Sequence, residues 1–211
     1  MIDGQLVEKR NFLDLILSPV AKVAEESDVL QIRANARMTI ATFGYRKEDL
    51  HEALTAIAHL RVARLISVSH SRLARLLTEV DKIDLAWKVI AESTDSHAMA
   101  ESAFFIACAR ADSNDFERAK TSASWISFPS LRQEILEDIS RAETDEKFRC
   151  EYLAQRSVFS DENSEVRIIR TLIAQQGYEY AFEAASKTQD PLRLINLLTI
   201  VAMEWSKSLV I

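Results

Sequence analysis

The chain is poor in the residues that punctuate structure, with 3 glycines and 3 prolines among 211 residues. An all-β protein needs turn residues about every 8–12 positions, so that class is excluded. Cysteine is scarce too. Cys108 and Cys150 are the whole complement, too few for a disulfide framework, and both fall inside helical patterns, which points to a reducing compartment. No apolar run approaches the about 20 residues that a membrane helix needs. The N-terminal FLDLIL is interrupted by Asp14 and preceded by Asp3, which fits neither a signal peptide nor a spanning segment. Basic charge is in deficit as well: 26 Lys and Arg stand against 32 Asp and Glu, a net charge of −6. A polyanion is a poor partner for such a surface. A cytoplasmic protein without a membrane or nucleic-acid partner is the expectation.

What the chain does contain is alanine, leucine, isoleucine, arginine and glutamate, the residues that favour helix. At 48% hydrophobic and 27% charged it has the balance of a folded soluble protein with a sizeable core. The spacing is informative. Ile40, Leu73, Ile106, Ile139 and Leu172 follow one another at intervals of 33 residues, and all are large aliphatics. Ala41, Ala74, Ala107 and Ser140 keep the same step, as do Ala53, Ala86 and Ala119, and Leu50, Ile83 and Phe116. Several columns in register at this period identify an internal repeat.

Each unit reads as two helices joined by a short polar turn. Second helices are expected at Glu48–His59, Lys82–Glu92, Asp115–Ile126, Glu146–Arg156 and Tyr178–Lys187. Gly44 and Gly177 suit the residue after a helix, where glycine enters the left-handed region without a Cβ penalty. Asp115 is an N-cap candidate, and Asp95, Pro129 and Pro191 mark starts of first helices. The reading is all-α: a right-handed superhelical array of about five αα-hairpins over 27–211. It is preceded by a capping helix within 1–26, from Glu8 to Glu25, interrupted at Pro19.

Units of this length, with Ile-Ala or Leu-Ala in the first helix and alanine in the second, resemble the tetratricopeptide-like αα-solenoids. GYEYAFEAASKTQDPLRLINLLTIVA at 177–202 looks most like them. The Trp, Gly and Tyr of the family's first helix are missing from most units, and HEAT-like packing is a close competitor. What the resemblance implies is a scaffold that binds a protein or peptide, with first helices lining the concave surface.

Chemistry is sparse. No glycine-rich phosphate loop, nucleophile elbow or CxxC occurs, so no cofactor is expected. His51 and His59 lie eight apart, rotated by roughly 80° on a helix, without a third ligand nearby, and metal is not expected. The acidic pairs Asp81/Asp84 and Glu134/Asp138 leave open a small all-α metal-dependent enzyme, or a regulatory domain of one. Arg61, Arg64, Arg72 and Arg75 leave open a HEAT-like array that binds nucleic acid.

One helical stripe stands out. Opposite the Ile106 face, most units carry polar residues, including Arg75 in one and Glu134 and Arg141 in another, whereas 97–111 carries His97, Glu101, Phe104 and Cys108. As a concave surface, this stripe is the candidate groove, with Phe104 as an exposed aromatic anchor and the charges setting specificity. The alternative is that Phe104 and Phe105 pack between repeats. Trp87 and Trp125, on second helices, are expected in the core. The C-terminal run from Pro191 is apolar round most of its circumference, which predicts self-association through Leu198, Val201, Trp205 and Leu209, or a natural chain that runs on further. Burial on its own array is the remaining alternative.

Overall fold

The computed structural model describes residues 2–44, 46, 48–158 and 164–208, with side chains from residue 11 onward. Among the described residues the protein is all-helical, with twelve helices and no strand. They are α1 (Ile2–Glu26), α2 (Leu30–Phe43), α3 (Glu48–Ala58), α4 (Ala63–Glu79), α5 (Ile83–Ala91) and α6 (Ser96–Arg110). Then follow α7 (Ser113–Ser124), α8 (Pro129–Thr144), α9 (Glu146–Arg156), α10 (Ser164–Gln176), α11 (Tyr178–Ser186) and α12 (Pro191–Lys207).

Local chemistry sets these boundaries. Four helices start at an aspartate whose carboxylate accepts from amides of the first turn. Asp95 caps α6 through His97 and Ala98, Asp112 caps α7 through Asn114, Asp145 caps α9 through Phe148, and Asp190 caps α12 through Arg193. Each satisfies donors that the helix cannot pair internally. Pro129 and Pro191 open α8 and α12, where a missing N–H costs nothing. The cap of α7 is therefore Asp112 and not Asp115, which lies inside the first turn with its carboxylate buried.

Two other expectations are corrected. Helix α1 continues through Pro19, so the proline interrupts no secondary structure. Gly177 has a positive φ of 90°, but Gly44 has φ −68° and needs no left-handed freedom. A Cβ at Gly44 would instead collide with the Asp49 carboxylate and the Ile40 carbonyl. Glycine is required there for room, not for rotation.

The contacts divide the chain into two compact units, 1–60 with 161–211, and 61–160. In the first, α1 packs on α2 and α12, α2 on α3 and α12, and α10 and α11 on each other and on α12. Thr39 of α2 and Thr199 of α12 share a hydrogen bond of 2.8 Å in its core. Phe12, Tyr178 and Trp205 form an aromatic cluster, with Phe12 and Trp205 ring centroids 4.6 Å apart. In the second unit, α4 packs on α5 and α6, α5 on α6, α6 on α7, α8 and α9, and α8 on α7 and α9.

The 33-residue columns map onto these interiors. Ile40, Leu73, Ile106 and Ile139 are buried, and so are Ala53, Ala86 and Ala119, whose small side chains let paired helices approach closely. The register slips in the last hairpin. Val166 and Ile169 face inward on α10, while Leu172 is only half-buried.

The C-terminal helix is an internal element. Ile195, Leu198, Ile200, Val201 and Met203 are all buried within the first unit. Self-association through Leu198 and Val201 is thereby corrected: α1, α2, α10 and α11 already occupy the apolar circumference of α12. Trp205 packs against Phe12 and Tyr178, and Leu209 lies outside the described residues. No helix among the described residues is long and apolar enough to cross a membrane.

Candidate protein-binding surface

The expected groove residues divide between three helices of the second unit. Arg75 lies on α4, His97, Glu101, Phe104 and Cys108 on α6, and Glu134 and Arg141 on α8. The fold brings Arg75 and Glu101 together, with Arg75 Nη2 3.9 Å from Glu101 Oε2. His97 sits half-buried in the first turn of α6. Glu134 and Arg141 remain exposed on α8, where Arg141 pairs with Asp145 at 3.5 Å and lies over the Phe148 ring at 4.4 Å. Beside Glu134, the Asp138 carboxyl is held above its ordinary value, first by burial and then by the Glu134 charge.

Phe104 and Cys108 are 2% and 3% exposed. The reason is α9. Its Tyr152 ring lies 4.3 Å from the Phe104 ring, tilted by 37°. The Tyr152 hydroxyl donates to the Glu101 carbonyl at 3.5 Å, and burial pushes the phenol up from its ordinary value. Arg156 of α9 donates to Glu101 Oε1 at 3.0 Å, with its guanidinium over the Tyr152 ring. Arg75 in turn donates to the Arg156 carbonyl at 3.5 Å. Just past the helix, the Val158 amide and the Ser157 hydroxyl both donate to Glu79, the last residue of α4, at 2.9 and 3.1 Å. The exposed aromatic anchor expected at Phe104 is thus corrected: the side chain is covered, and its cover is a helix of the same unit.

The sequence carried a signal for this. One step of 33 beyond Ala119 stands Tyr152, and one further stands Ala185, which is buried like the others. A tyrosine cannot occupy the close-approach position that alanine fills in α3, α5, α7 and α11. Its ring is displaced onto α6 instead. Tyr152, Arg156 and Glu79 are the groove residues that pattern reasoning overlooked.

Burial pushes the Cys108 thiol up to about 12, with Arg149 lowering and Asp138 raising it to lesser degrees. The reactive thiolate is therefore suppressed. Among the described residues no three His, Cys, Asp or Glu side chains stand together in a position to hold a metal ion. Asp81 sits in a left-handed turn at φ 58° and Asp84 in the first turn of α5. Of the four arginines considered for nucleic acid, Arg61 and Arg64 are exposed, whereas Arg72 and Arg75 are half-buried. In the first unit a cavity of about 470 Å³ between α1, α2 and α3 is lined by Arg37, paired with Glu52, Arg46, paired with Asp49, and the further carboxylates of Asp14 and Glu25.

Trp87 is buried, its indole N–H donating to Asp115 at 3.1 Å. Trp125, expected in the core, is 63% exposed at the turn into α8, and Phe128 beside it is 72% exposed. Trp125 closes α7 as its C-cap residue, between the buried Ala123 and Ile126, which take the inward positions on either side of it. No protein-family model, curated protein or solved structure matches this chain.

Proposed function

We propose that this protein is a non-catalytic, tetratricopeptide-like helical-repeat scaffold that binds a helical segment of a protein partner on the face of its first helices. One observation carries the reading: that face, on α4 and α6, already holds a helix, α9, through an aromatic stack and charged hydrogen bonds. A surface that binds one amphipathic helix by these contacts has the chemistry to bind another. The 33-residue columns and the paired helices support the repeat assignment.

The test is affinity capture from a lysate of the cells that make the protein, read by mass spectrometry. The unmodified chain is compared with a variant carrying Glu134→Lys and Arg141→Glu on the exposed side of α8. A partner recovered by the first and lost by the second is the expected result. Identical recoveries, or a melting temperature raised by Mg²⁺ or Mn²⁺, would argue against the scaffold and for a metal-dependent role.

A further inference from the structure

Second helices of a stacked hairpin array touch the first helix of their own hairpin and the first helix of the next. Helices α5, α7 and α11 do so, packing on α6, α8 and α12 respectively. Helix α9 packs on its own partner α8 and also back on α6. Tyr152, at the position that is alanine in α5, α7 and α11, supplies the ring that meets α6.

The seat of α9 is shallow. No residue of α9 is fully buried, Tyr152 being half-buried, while α6 beneath it buries nine. Its ties to α4 and α6 include a ring contact and hydrogen bonds from Tyr152, Arg156, Ser157 and Val158 to Glu101 and Glu79. Arg75 Nε is left buried there without a hydrogen-bond partner. A helix with few buried apolar contacts and part-buried or exposed polar ties opens at lower free energy than the core it covers.

We propose that α9 is a self-ligand: it occludes the α4–α6 face and is displaced by a partner helix that carries an aromatic side chain and, one turn later, an arginine. The inference rests on the scaffold reading for its biological partner, but the occluded face stands on its own geometry. The partner's chemistry is that of α9 itself. Its aromatic ring takes the place of Tyr152 on Phe104, and its arginine takes that of Arg156 on Glu101. Release of α9 uncovers Phe104 and Cys108, an apolar strip bordered by the Glu101 and Glu79 carboxylates, so the face selects a helix that is apolar along one side and basic at its C-terminal end.

Cys108 is a built-in probe, since a thiol reagent reaches it only when its cover lifts. The experiment uses the full chain with Cys150→Ser, with and without Tyr152→Ala plus Arg156→Ala. A fluorescein-labelled peptide of residues 145–158, also carrying Cys150→Ser, supplies α9 in trans. The expected result is that opening α9 accelerates Cys108 labelling at least tenfold and tightens peptide binding at least tenfold. Glu101→Lys in the opened chain should abolish that binding. Equal binding to both chains, no binding to either, or unchanged labelling overturns the proposal. If the opened variant loses its helical circular dichroism, hydrogen exchange on the unmodified chain decides: α9 amides exchanging as a group ahead of α6 support the proposal, and exchange of α9 only together with α6 overturns it. Peptide binding that follows this pattern while lysate capture finds no partner would leave the occluded face intact and reject the scaffold role alone.

Discussion

The Phe104 and Tyr152 rings, 48 residues apart in the chain, stack with centroids 4.3 Å apart. This contact turns an expected binding stripe into an occupied one. Phe104→Ala should therefore lower stability by about 3–5 kcal/mol, as for other buried aromatics truncated to alanine. Urea unfolding of Phe104→Ala, Tyr152→Ala and the double variant should give a coupling of about 0.5–1.5 kcal/mol. Additive losses would mean that the two rings do not support each other.

Asp112 and Asp115 should separate cleanly. Asp112→Ala removes one capping bond to Asn114 and is expected to cost about 1 kcal/mol. Asp115→Ala strips the acceptor from the buried Trp87 indole and leaves Arg110 and Arg118, at 3.6 and 3.7 Å, without their shared anion. A larger loss, of about 1–3 kcal/mol, is expected. The Trp87 indole N–H resonance should shift in the second variant and stay in place in the first.

Stability should fall as the solution is acidified below neutrality. His70 is buried with Nδ1 unpaired, and burial holds it below its ordinary value of 6.5, opposed by the Glu92 charge. The folded state favours the neutral imidazole, so this contribution is complete above 6.5 and is lost as pH drops from 6.5 towards the lowered folded value. The slope attributable to one proton cannot exceed about 1.4 kcal/mol per pH unit. Urea midpoints measured across this window should flatten in His70→Gln. An unchanged slope would remove His70 as the cause.

Two glycine substitutions test two different constraints. Gly177→Ala meets a backbone at φ 90° and should cost about 1–3 kcal/mol through strain. Gly44→Ala keeps an ordinary φ but drives a methyl into Asp49 and the Ile40 carbonyl, costing about 1–3 kcal/mol through overpacking. Removing the offending carboxylate by Asp49→Ala should relieve part of the second penalty and none of the first, as read by thermal melts of the paired variants.

Much of this was legible beforehand for a physical reason. Helix starts depend on a few adjacent atoms, and Asp95, Pro129, Pro191 and the alanines at 53, 86 and 119 act within one turn or one hairpin. The sequence by itself determined that the chain is helical, where the hairpins turn, and which aliphatic stripe faces inward over the first four of them. Only the tertiary structure decided what covers the other stripe. Whether Phe104 meets solvent depends on the direction in which α9 folds. Helix α12 is a core element because α1, α2, α10 and α11 pack round it, with Thr39 meeting Thr199 from the far end of the chain. Periodicity records the faces that a helix offers. Which faces meet is settled by side-chain contacts remote in sequence, here the Tyr152 ring of α9 against Phe104 of α6.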